Sequence, residues 1–456
     1  MKEKILSAFT FLHSVINKGH HRSVKAKKNI LASFLIKGCN IAISLILVPL
    51  TIHYVNPTQY GIWLTLSSII GWFAFFDIGF GNGLRNKFAE AIAKDDHQLA
   101  RIYLSTTYAI LSIIIVCLLV LFLCINPFLN WPKILNTPAG MAAELSLLAL
   151  LVFVFFCLQF VLQLITTIIT ANQQPAKASF FNFLGSLFSL TVIFILTKTT
   201  SGSLIYLALS LGFTPVLVLT ASSLWFYTHG YKRYAPAARF VKFSYARSLM
   251  SLGLKFFIIQ IATVVLYETS NLIIAQLFGP VQVTPYNVAY KYFGIIPMVM
   301  GIIMTPFWSA ITEAWVKKDI AWIRNTMKRL QLLWGVLSII TLLMLVVSNF
   351  VYRFWVGKDI LISISISAAM ASYVIINAWN GIYSQFLNGV GKVKLQLYIA
   401  LAGTLINIPL AIFLGKHIGI YGVVLSTTII SIMSAVVSPV QYNRIINNKA
   451  RGVWAQ

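Results

Sequence analysis

Apolar stretches of about 20 residues recur along the whole chain, and short polar segments separate them. A helix rises about 1.5 Å per residue, so each stretch is long enough to cross the ~30 Å hydrocarbon core of a bilayer. We therefore predict an all-α protein with about twelve membrane-spanning helices. The predicted spans are residues 29–53, 60–82, 102–126, 144–170, 178–198, 204–227, 249–277, 286–311, 331–349, 361–387, 393–415 and 420–442.

The composition agrees with this pattern. Of the 456 residues, 59% are hydrophobic and only 10% are charged, whereas soluble domains have roughly 45–50% apolar and about 25% charged residues. These values exclude a soluble enzyme, a nucleic-acid-binding module, a disordered chain and a secreted disulfide scaffold. All four cysteines lie within predicted spans and indicate neither a disulfide framework nor a metal site; they are Cys39, Cys117, Cys124 and Cys157.

The position of the basic residues orients the protein. The formal net charge is +25, and 27 of the 35 Lys and Arg residues lie in the two termini and in alternate loops, against five in the opposite loops. Loops rich in Lys and Arg stay in the cytoplasm, so both termini are predicted to be cytoplasmic. The basic charge therefore reflects topology and contact with lipid headgroups rather than binding of nucleic acid.

The span positions divide the chain into five parts. In the first part, apolar residues such as Ile5, Phe9 and Ile16 fall on one helical face, which predicts an amphipathic helix on the membrane surface; a disordered basic tail is the alternative. The five parts are a basic cytoplasmic segment (1–28), an N-lobe (29–227), a cytoplasmic linker (228–248), a C-lobe (249–443) and a cytoplasmic tail (444–456).

Three short patterns occur in the same order in both halves of the chain. An L-x-S-x-x-x-K pattern ends at Lys37 and again at Lys255. A second pattern sets Glu90-Ala91, Lys94 and Asp95 against Glu313-Ala314, Lys317 and Asp319, and a third sets Asn172 and Lys177 against Asn388 and Lys392. Six spans per half predict two six-helix lobes related by a pseudo-twofold axis along the membrane normal, with the substrate path in a central cavity between them.

Five ionisable side chains fall within predicted spans. Each costs a few kcal/mol at the bilayer centre, so such residues usually face a partner, a bundle interior or water. Depth places Lys37, Asp77 and Lys255 in a layer near the cytoplasmic side, and Glu268 and Lys291 in a pair near the outside. Snorkelling lysines and fixed salt bridges are the alternative explanation. Two lysines at similar depth favour a cationic cavity that binds a phosphate or diphosphate.

Motifs for ATP hydrolysis and for catalysis are missing. Gly391-Lys392 has Phe386 where the first glycine of a phosphate-binding loop would stand. The predicted outward loops are short and offer as acids only Asp359 and, at a span edge, Glu144. We therefore predict a protein that is not an enzyme and that uses neither ATP nor nucleic acid.

Several segments resemble Wzx-type O-antigen and polysaccharide flippases of the multidrug/oligosaccharidyl-lipid/polysaccharide exporter superfamily. The resemblance is specific over roughly residues 28–101, and a short segment further along also resembles this family. The segments are KNILASFLIKG at 28–38, LVPLT at 47–51, NPTQYGIW at 56–63, FDIGFGNGLRN at 76–86 and FLNGVGK at 386–392.

The resemblance implies a transporter of the bacterial inner membrane. Such a protein moves an undecaprenyl-diphosphate-linked oligosaccharide, the repeat unit of O-antigen or capsule, from the cytoplasmic to the periplasmic leaflet by alternating access. It implies no cofactor, coupling to an H⁺ or Na⁺ gradient, and a glycan polymerase with its chain-length machinery as candidate partners.

The candidate site residues follow from the matched segments and from the span positions. The matched segments carry over Lys37, Asp77 and Arg85. The substrate-binding candidates are Lys37, Lys255, Arg85 and Lys291, and the gating or ion-coupling candidates are Asp77 and Glu268. Three other functions stay open: a cation-coupled multidrug or small-molecule exporter of the same fold, a membrane glycan polymerase or ligase, and a non-transporting assembly partner.

Overall fold

The computed structural model describes residues 21–455, except Ile78, Gln173 and residues 251–268. All regular secondary structure in this part of the chain is helical. The helices are α1 (His21–Val55), α2 (Pro57–Gly71), α3 (Phe80–Ala93), α4 (His97–Ile125), α5 (Trp131–Leu135), α6 (Ala142–Leu162), α7 (Leu164–Ala171), α8 (Pro175–Thr199), α9 (Leu204–Thr228), α10 (Thr269–Phe278), α11 (Val283–Phe293), α12 (Ile295–Val316), α13 (Ile320–Trp355), α14 (Ile364–Val390), α15 (Lys394–Ile418) and α16 (Ile420–Ile446), with short 3-10 turns between some of them.

The predicted spans correspond to these helices, with local differences. Eight segments of the described chain are long and apolar enough to cross a membrane. The predicted second span is α2 followed by a 3-10 turn, Trp72–Asp77, and the eighth is α11 and α12 meeting at Gly294. The tenth is the continuous helix α14. The predicted seventh span falls mostly on residues 251–268, and the predicted surface helix mostly on residues 1–20, outside the described residues.

The described residues form two apolar cores. One core is made by α2, α3, α4, α6 and α7 of the N-lobe, with Phe88 and Phe153 fully buried in it. The other is made by helices of the C-lobe around Phe293 and Phe386, and it also takes in Val48 from α1. One end of α1 therefore packs into the C-lobe core, and the lobes are joined there.

The internal repeat is visible in the helix caps. Asp96 caps α4 by accepting a hydrogen bond from the backbone N–H of Leu99 at 2.9 Å. Asp319 caps α13 by accepting one from the backbone N–H of Trp322 at 3.0 Å. An Asp at this position satisfies an N–H group that the first turn of a helix leaves without a partner.

The backbone before the caps corrects the predicted register of the repeat. The residue before each cap lies in the left-handed region, with φ 56° at Asp95 and 58° at Lys318. Asp96 is thus the counterpart of Asp319, and the predicted pairing of Asp95 with Asp319 is wrong by one residue. Asp96 and Asp319 are equivalent because each carboxylate caps the start of a helix.

The first acid of the second pattern, Glu90, is a surface residue. Glu90 lies on α3 between Lys87 and Lys94, with ammonium–carboxylate distances of 2.9 and 2.8 Å. Hydrogen bonds and charge from Lys94 and Lys87 lower the pKa of the Glu90 carboxyl to about 2. This side chain therefore stays ionised at physiological pH and organises the surface of α3.

An arginine five residues after each cap holds the segment that follows the last helix of the same lobe. Arg101 Nε donates to the Ala235 carbonyl at 2.9 Å, after α9. Arg324 Nη2 donates to Asn447 Oδ1 at 3.0 Å, after α16. The two lobes thus share a second hydrogen bond at matching positions, in addition to the helix cap.

The predicted linker, residues 228–248, lies along the start of α4. Ser105 Oγ accepts from the backbone N–H of Ala237 at 3.2 Å, and Thr106 Oγ1 accepts from that of Lys242 at 3.0 Å. These side chains satisfy backbone groups that the irregular linker leaves open. The linker is therefore fixed to the N-lobe.

We expect Asp96→Ala and Asp319→Ala each to lower the free energy of unfolding by about 1 kcal/mol, because each removes one helix cap. The measurement is thermal or denaturant unfolding of the purified protein in detergent. Asp359→Ala, in an exposed loop, is the control that removes an aspartate without a cap. Equal stability of all three variants would contradict the capping roles.

Candidate functional site

Residues of the N-lobe line an open polar pocket, in which Arg85 and Gln163 are exposed. Its volume is about 280 Å³, and six of its ten lining residues are charged or polar. We call it the N-lobe pocket. It is lined by Asp77, Gly81, Arg85, Leu111, Phe160, Gln163, Leu164, Thr166, Thr167 and Thr170.

The charged wall of this pocket is built where α2 gives way to α3. The 3-10 turn after α2 ends at Asp77, and Gly79, with φ 80°, turns the chain into α3. Asp77 Oδ1 accepts from the backbone N–H of Gly81 at 2.9 Å. A Cβ at Gly81 would lie 3.3 Å from both carboxylate oxygens, so a glycine suits this close approach. Arg85 follows one turn later on α3.

The opposite wall is built where α6 gives way to α7. Gln163 lies between the two helices, and its carbonyl accepts from Thr166 Oγ1 at 2.7 Å. Thr170 Oγ1 donates to the Thr166 carbonyl at 2.7 Å. Because both hydroxyl hydrogens are used on the backbone, these two oxygens can offer only lone pairs to a ligand.

A second polar region joins the two lobes near the start of α2, and we call it the seam. Asn56 accepts from the backbone N–H of Gln59 at 3.0 Å and caps α2, whose first residue is Pro57. Thr284 Oγ1 of the C-lobe donates to the Pro57 carbonyl at 2.6 Å. Gly61 faces the turn before α11 so closely that a Cβ would overlap the carbonyl oxygen of Pro280.

A buried chain of amides continues the seam. Asn287 Nδ2 of α11 donates to Asn271 Oδ1 of α10 at 2.7 Å, and Asn271 Nδ2 donates to Ser68 Oγ of α2 at 2.6 Å. All three side chains are buried. The Asn271–Ser68 bond crosses between the lobes, so separation would leave these two buried polar groups to be satisfied by water or by a ligand.

Lys291 completes the seam. Its Nζ lies 3.4 Å from the hydroxyl of Tyr60, which is 3% exposed. The ion pairs found in the described part of the chain both involve Glu90, so no described carboxylate pairs with Lys291. Glu268, its predicted partner, lies outside the described residues, and the predicted outer pair stays a prediction.

The structure brings some of the candidate residues together and separates others. Asp77 and Arg85 line the same pocket. Lys37 is exposed on α1 and is not among the pocket-lining residues, whereas Lys291 lies in the seam. Lys255, like Glu268, lies outside the described residues.

Sequence reasoning missed the uncharged polar residues of both regions. The pocket residues Gln163, Thr166, Thr167 and Thr170 are spaced i, i+3, i+4 and i+7, the spacing that places side chains on one helical face. This polar stripe within the predicted span 144–170 was a readable signal. The seam residues give no comparable signal in the sequence. Ser68 and Asn271, for example, hydrogen-bond to each other although more than 200 residues separate them.

The seam runs along α2 from Pro57 to Ser68, and the pocket begins beyond it, at Asp77. Pro57 and Asp77 are about 20 residues apart along α2 and its 3-10 turn, which corresponds to roughly 30 Å. From the charge pattern we predict that the start of α2 faces the outside and that the pocket faces the cytoplasm. In this structure the lobes are bound together along α2.

Family models match most of the chain. The model described as "Polysaccharide biosynthesis protein" matches residues 26–312, and the model described as "MatE" matches residues 256–413. Two relatives are a "Putative O-antigen transporter" of Salmonella typhi, 23% identical over 86% of this chain and 90% of its own length, and a "Putative O-antigen export protein" of Yersinia pseudotuberculosis, 20% identical over 76% and 79%. These matches confirm the resemblance seen in the sequence.

Solved structures confirm the fold. The inward-facing conformation of a multidrug resistance MATE family transporter of the MOP superfamily has a TM-score of 0.73 and 13% identity, covering 92% of this chain and 98% of its own. An outward-facing conformation of such a transporter has a TM-score of 0.66 and 14% identity, covering 93% and 96%. The predicted all-α, two-lobe membrane fold is therefore confirmed.

We expect Gly61→Ala to hold the seam open, because the added methyl group and the Pro280 carbonyl cannot occupy the same space. The readout is labelling of Val283→Cys by a membrane-impermeant maleimide, in a protein whose four native cysteines are replaced by serine. Val283 is fully buried beside the seam, so labelling should rise several-fold. Gly38→Ala, at a position with no heavy atom within 4 Å, is the matched control. Labelling equal to that of the control would show that the seam does not depend on this approach.

Proposed function

Because the chain belongs to the polysaccharide biosynthesis protein family, we propose that it is a flippase for an undecaprenyl-diphosphate-linked oligosaccharide. The proposed movement is from the cytoplasmic to the periplasmic leaflet of the bacterial inner membrane, with both termini in the cytoplasm. The names of the relatives support this substrate class. The basic character of the candidate residues supports an anionic group on the substrate.

The observation that carries the proposal is the placement of the seam and the pocket. The lobes are hydrogen-bonded together along α2, from Pro57 to Ser68, and polar groups line a pocket that begins beyond α2, at Asp77. Alternating access needs such an arrangement, because one side must be closed while the other offers a polar site. The seam then has to separate for the glycan to leave on the far side.

We assign the diphosphate to the basic candidates. Lys37, Lys255 and Lys291 each offer an ammonium group, and an ammonium in a region of low dielectric attracts a diphosphate strongly. Lys291 has a tyrosine hydroxyl and no described carboxylate beside it. A diphosphate that enters the cavity would draw this ammonium from Tyr60 and weaken the seam, which links substrate arrival to opening.

We assign energy coupling to the acidic candidates Asp77 and Glu268, which would bind H⁺ or Na⁺. Asp77 lies at the junction of α2 and α3, where a change of charge acts on the backbone of two helices. The second candidate function is export of small molecules by the same fold, which the MATE structures favour. The relatives are transporters, which supports a protein that is not an enzyme.

The test of the function uses purified protein in liposomes that contain undecaprenyl-diphosphate oligosaccharide. A membrane-impermeant reagent that oxidises glycan reaches only the outer leaflet of protein-free liposomes, about half of the lipid. Protein-dependent modification beyond that half is expected for a flippase. Modification that stays at half, together with gradient-driven uptake of an organic cation by the same liposomes, would establish the exporter instead.

We expect Lys37→Ala, Lys255→Ala and Lys291→Ala each to lower the rate of glycan movement at least about tenfold, because each removes a positive charge that binds the diphosphate. Arginine at each position should restore part of the rate, since it keeps the charge but changes the geometry. Lys416→Ala, on the exposed end of α15, is the control. Normal transport by the Lys37→Ala/Lys255→Ala double variant would refute a role for these two lysines.

A further inference from the structure

We propose that the N-lobe pocket recognises one sugar ring of the transported glycan and thereby sets glycan specificity. This inference rests on the proposed flippase function and adds a site for the sugar to the site for the diphosphate. The geometry that points to it is a pocket lined by two opposite charges, by threonine oxygens that act as acceptors and by three apolar side chains.

The size of the pocket suits one sugar ring. Its volume of about 280 Å³ is just below the ~300–1,000 Å³ of sites that hold drug-sized molecules. A whole repeat unit of several sugars is larger than this. The pocket can therefore hold one ring while the remainder of the glycan extends into the space between the lobes.

The two charges of the pocket argue against a charged organic ligand. Arg85 disfavours an organic cation, and Asp77 disfavours a phosphate group. A neutral ligand with many hydroxyl groups avoids both penalties, because its hydroxyls donate to the carboxylate and accept from the guanidinium. The carboxylate of Asp77 is held in place by the Gly81 backbone N–H, so it is presented in a fixed position.

The opposite wall is matched to hydroxyl groups as well. The hydroxyls of Thr166 and Thr170 have already donated to backbone carbonyls, so their oxygens act as acceptors for sugar O–H groups. Gln163 adds an amide that can donate and accept. With Thr167 these residues form the i, i+3, i+4, i+7 stripe, which gives several contacts along one edge of a ring.

Apolar residues complete the site. Phe160, Leu111 and Leu164 also line the pocket. A pyranose has polar edges and faces of C–H groups, so a pocket with polar walls and an apolar side is complementary to both. Asp77, in this assignment, contacts the sugar in addition to its proposed part in coupling.

The experiment measures the thermal unfolding of purified protein in detergent with six free sugars as probes. The sugars are glucose, galactose, mannose, rhamnose, N-acetylglucosamine and glucuronic acid. We expect at least one of them to stabilise the wild-type protein at millimolar concentration. Its apparent affinity should fall about fivefold in Thr170→Val, which loses one hydrogen bond to the ligand, and also in Arg85→Gln.

Thr191→Val is the matched control. Thr191 Oγ1 donates to the carbonyl four residues earlier, as Thr170 Oγ1 does, but it is exposed on α8 and away from the pocket. Sugar binding should be unchanged in this variant. If none of the six sugars stabilises the protein, or if both threonine variants bind sugar equally well, the pocket is not a sugar site.

The same preparations separate this inference from the proposed function. Binding of undecaprenyl diphosphate without a glycan tests the flippase, and Thr170→Val should leave it unchanged. Sugar binding without binding of this lipid would overturn the flippase and keep the pocket assignment. Lipid binding without any sugar effect would overturn the pocket assignment alone.

Discussion

In hydrocarbon, a polar group without a partner inside the protein costs several kcal/mol, and this constraint decides where the chain keeps its polar side chains. The described helices present Leu, Ile, Val and Phe to the surroundings, as the exposed residues of α4 and α13 show. Polar side chains collect at the N-lobe pocket and at the seam. The seam depends on the constraint most directly, because the buried side chains of Ser68 and Asn271 satisfy each other only when the lobes meet.

The polar groups of the seam and those of the pocket are satisfied in different ways. In the seam, side chains from both lobes use their hydrogen-bonding capacity on each other, so closure is favourable without any ligand. In the pocket, Thr166 and Thr170 use their hydrogens on their own helix and leave lone pairs exposed to the cavity. Side chains that pair with each other suit a contact that forms and breaks. Acceptor oxygens that face a cavity suit a ligand-binding site.

Matching hydrogen bonds in the two halves stabilise each lobe separately. Asp96 and Asp319 cap matching helices, and Arg101 and Arg324 tie the segment after the last helix of each lobe to a matching position. None of these contacts crosses between the lobes. Motion of one lobe against the other can therefore leave them intact.

The sequence by itself determined the helical class, most of the spans and the two-lobe plan, because hydropathy and repeats are local properties of the chain. It also marked Asp77 and Lys291, since an ionised group in an apolar stretch stands out. The second pattern of the repeat was predicted with its register wrong by one residue, because two adjacent aspartates precede α4 and only backbone geometry shows which one caps it.

Only the tertiary structure decided which residues meet. Asp77 and Thr170 face one pocket although they belong to different spans, and Ser68 meets Asn271 across more than 200 residues of chain. Paired amides and threonines are tolerated in a span at small cost, so they interrupt the hydropathy pattern little. The sequence therefore does not show which residue each of them pairs with. Pairing between distant helices depends on how the lobes pack, and that is a property of the whole fold.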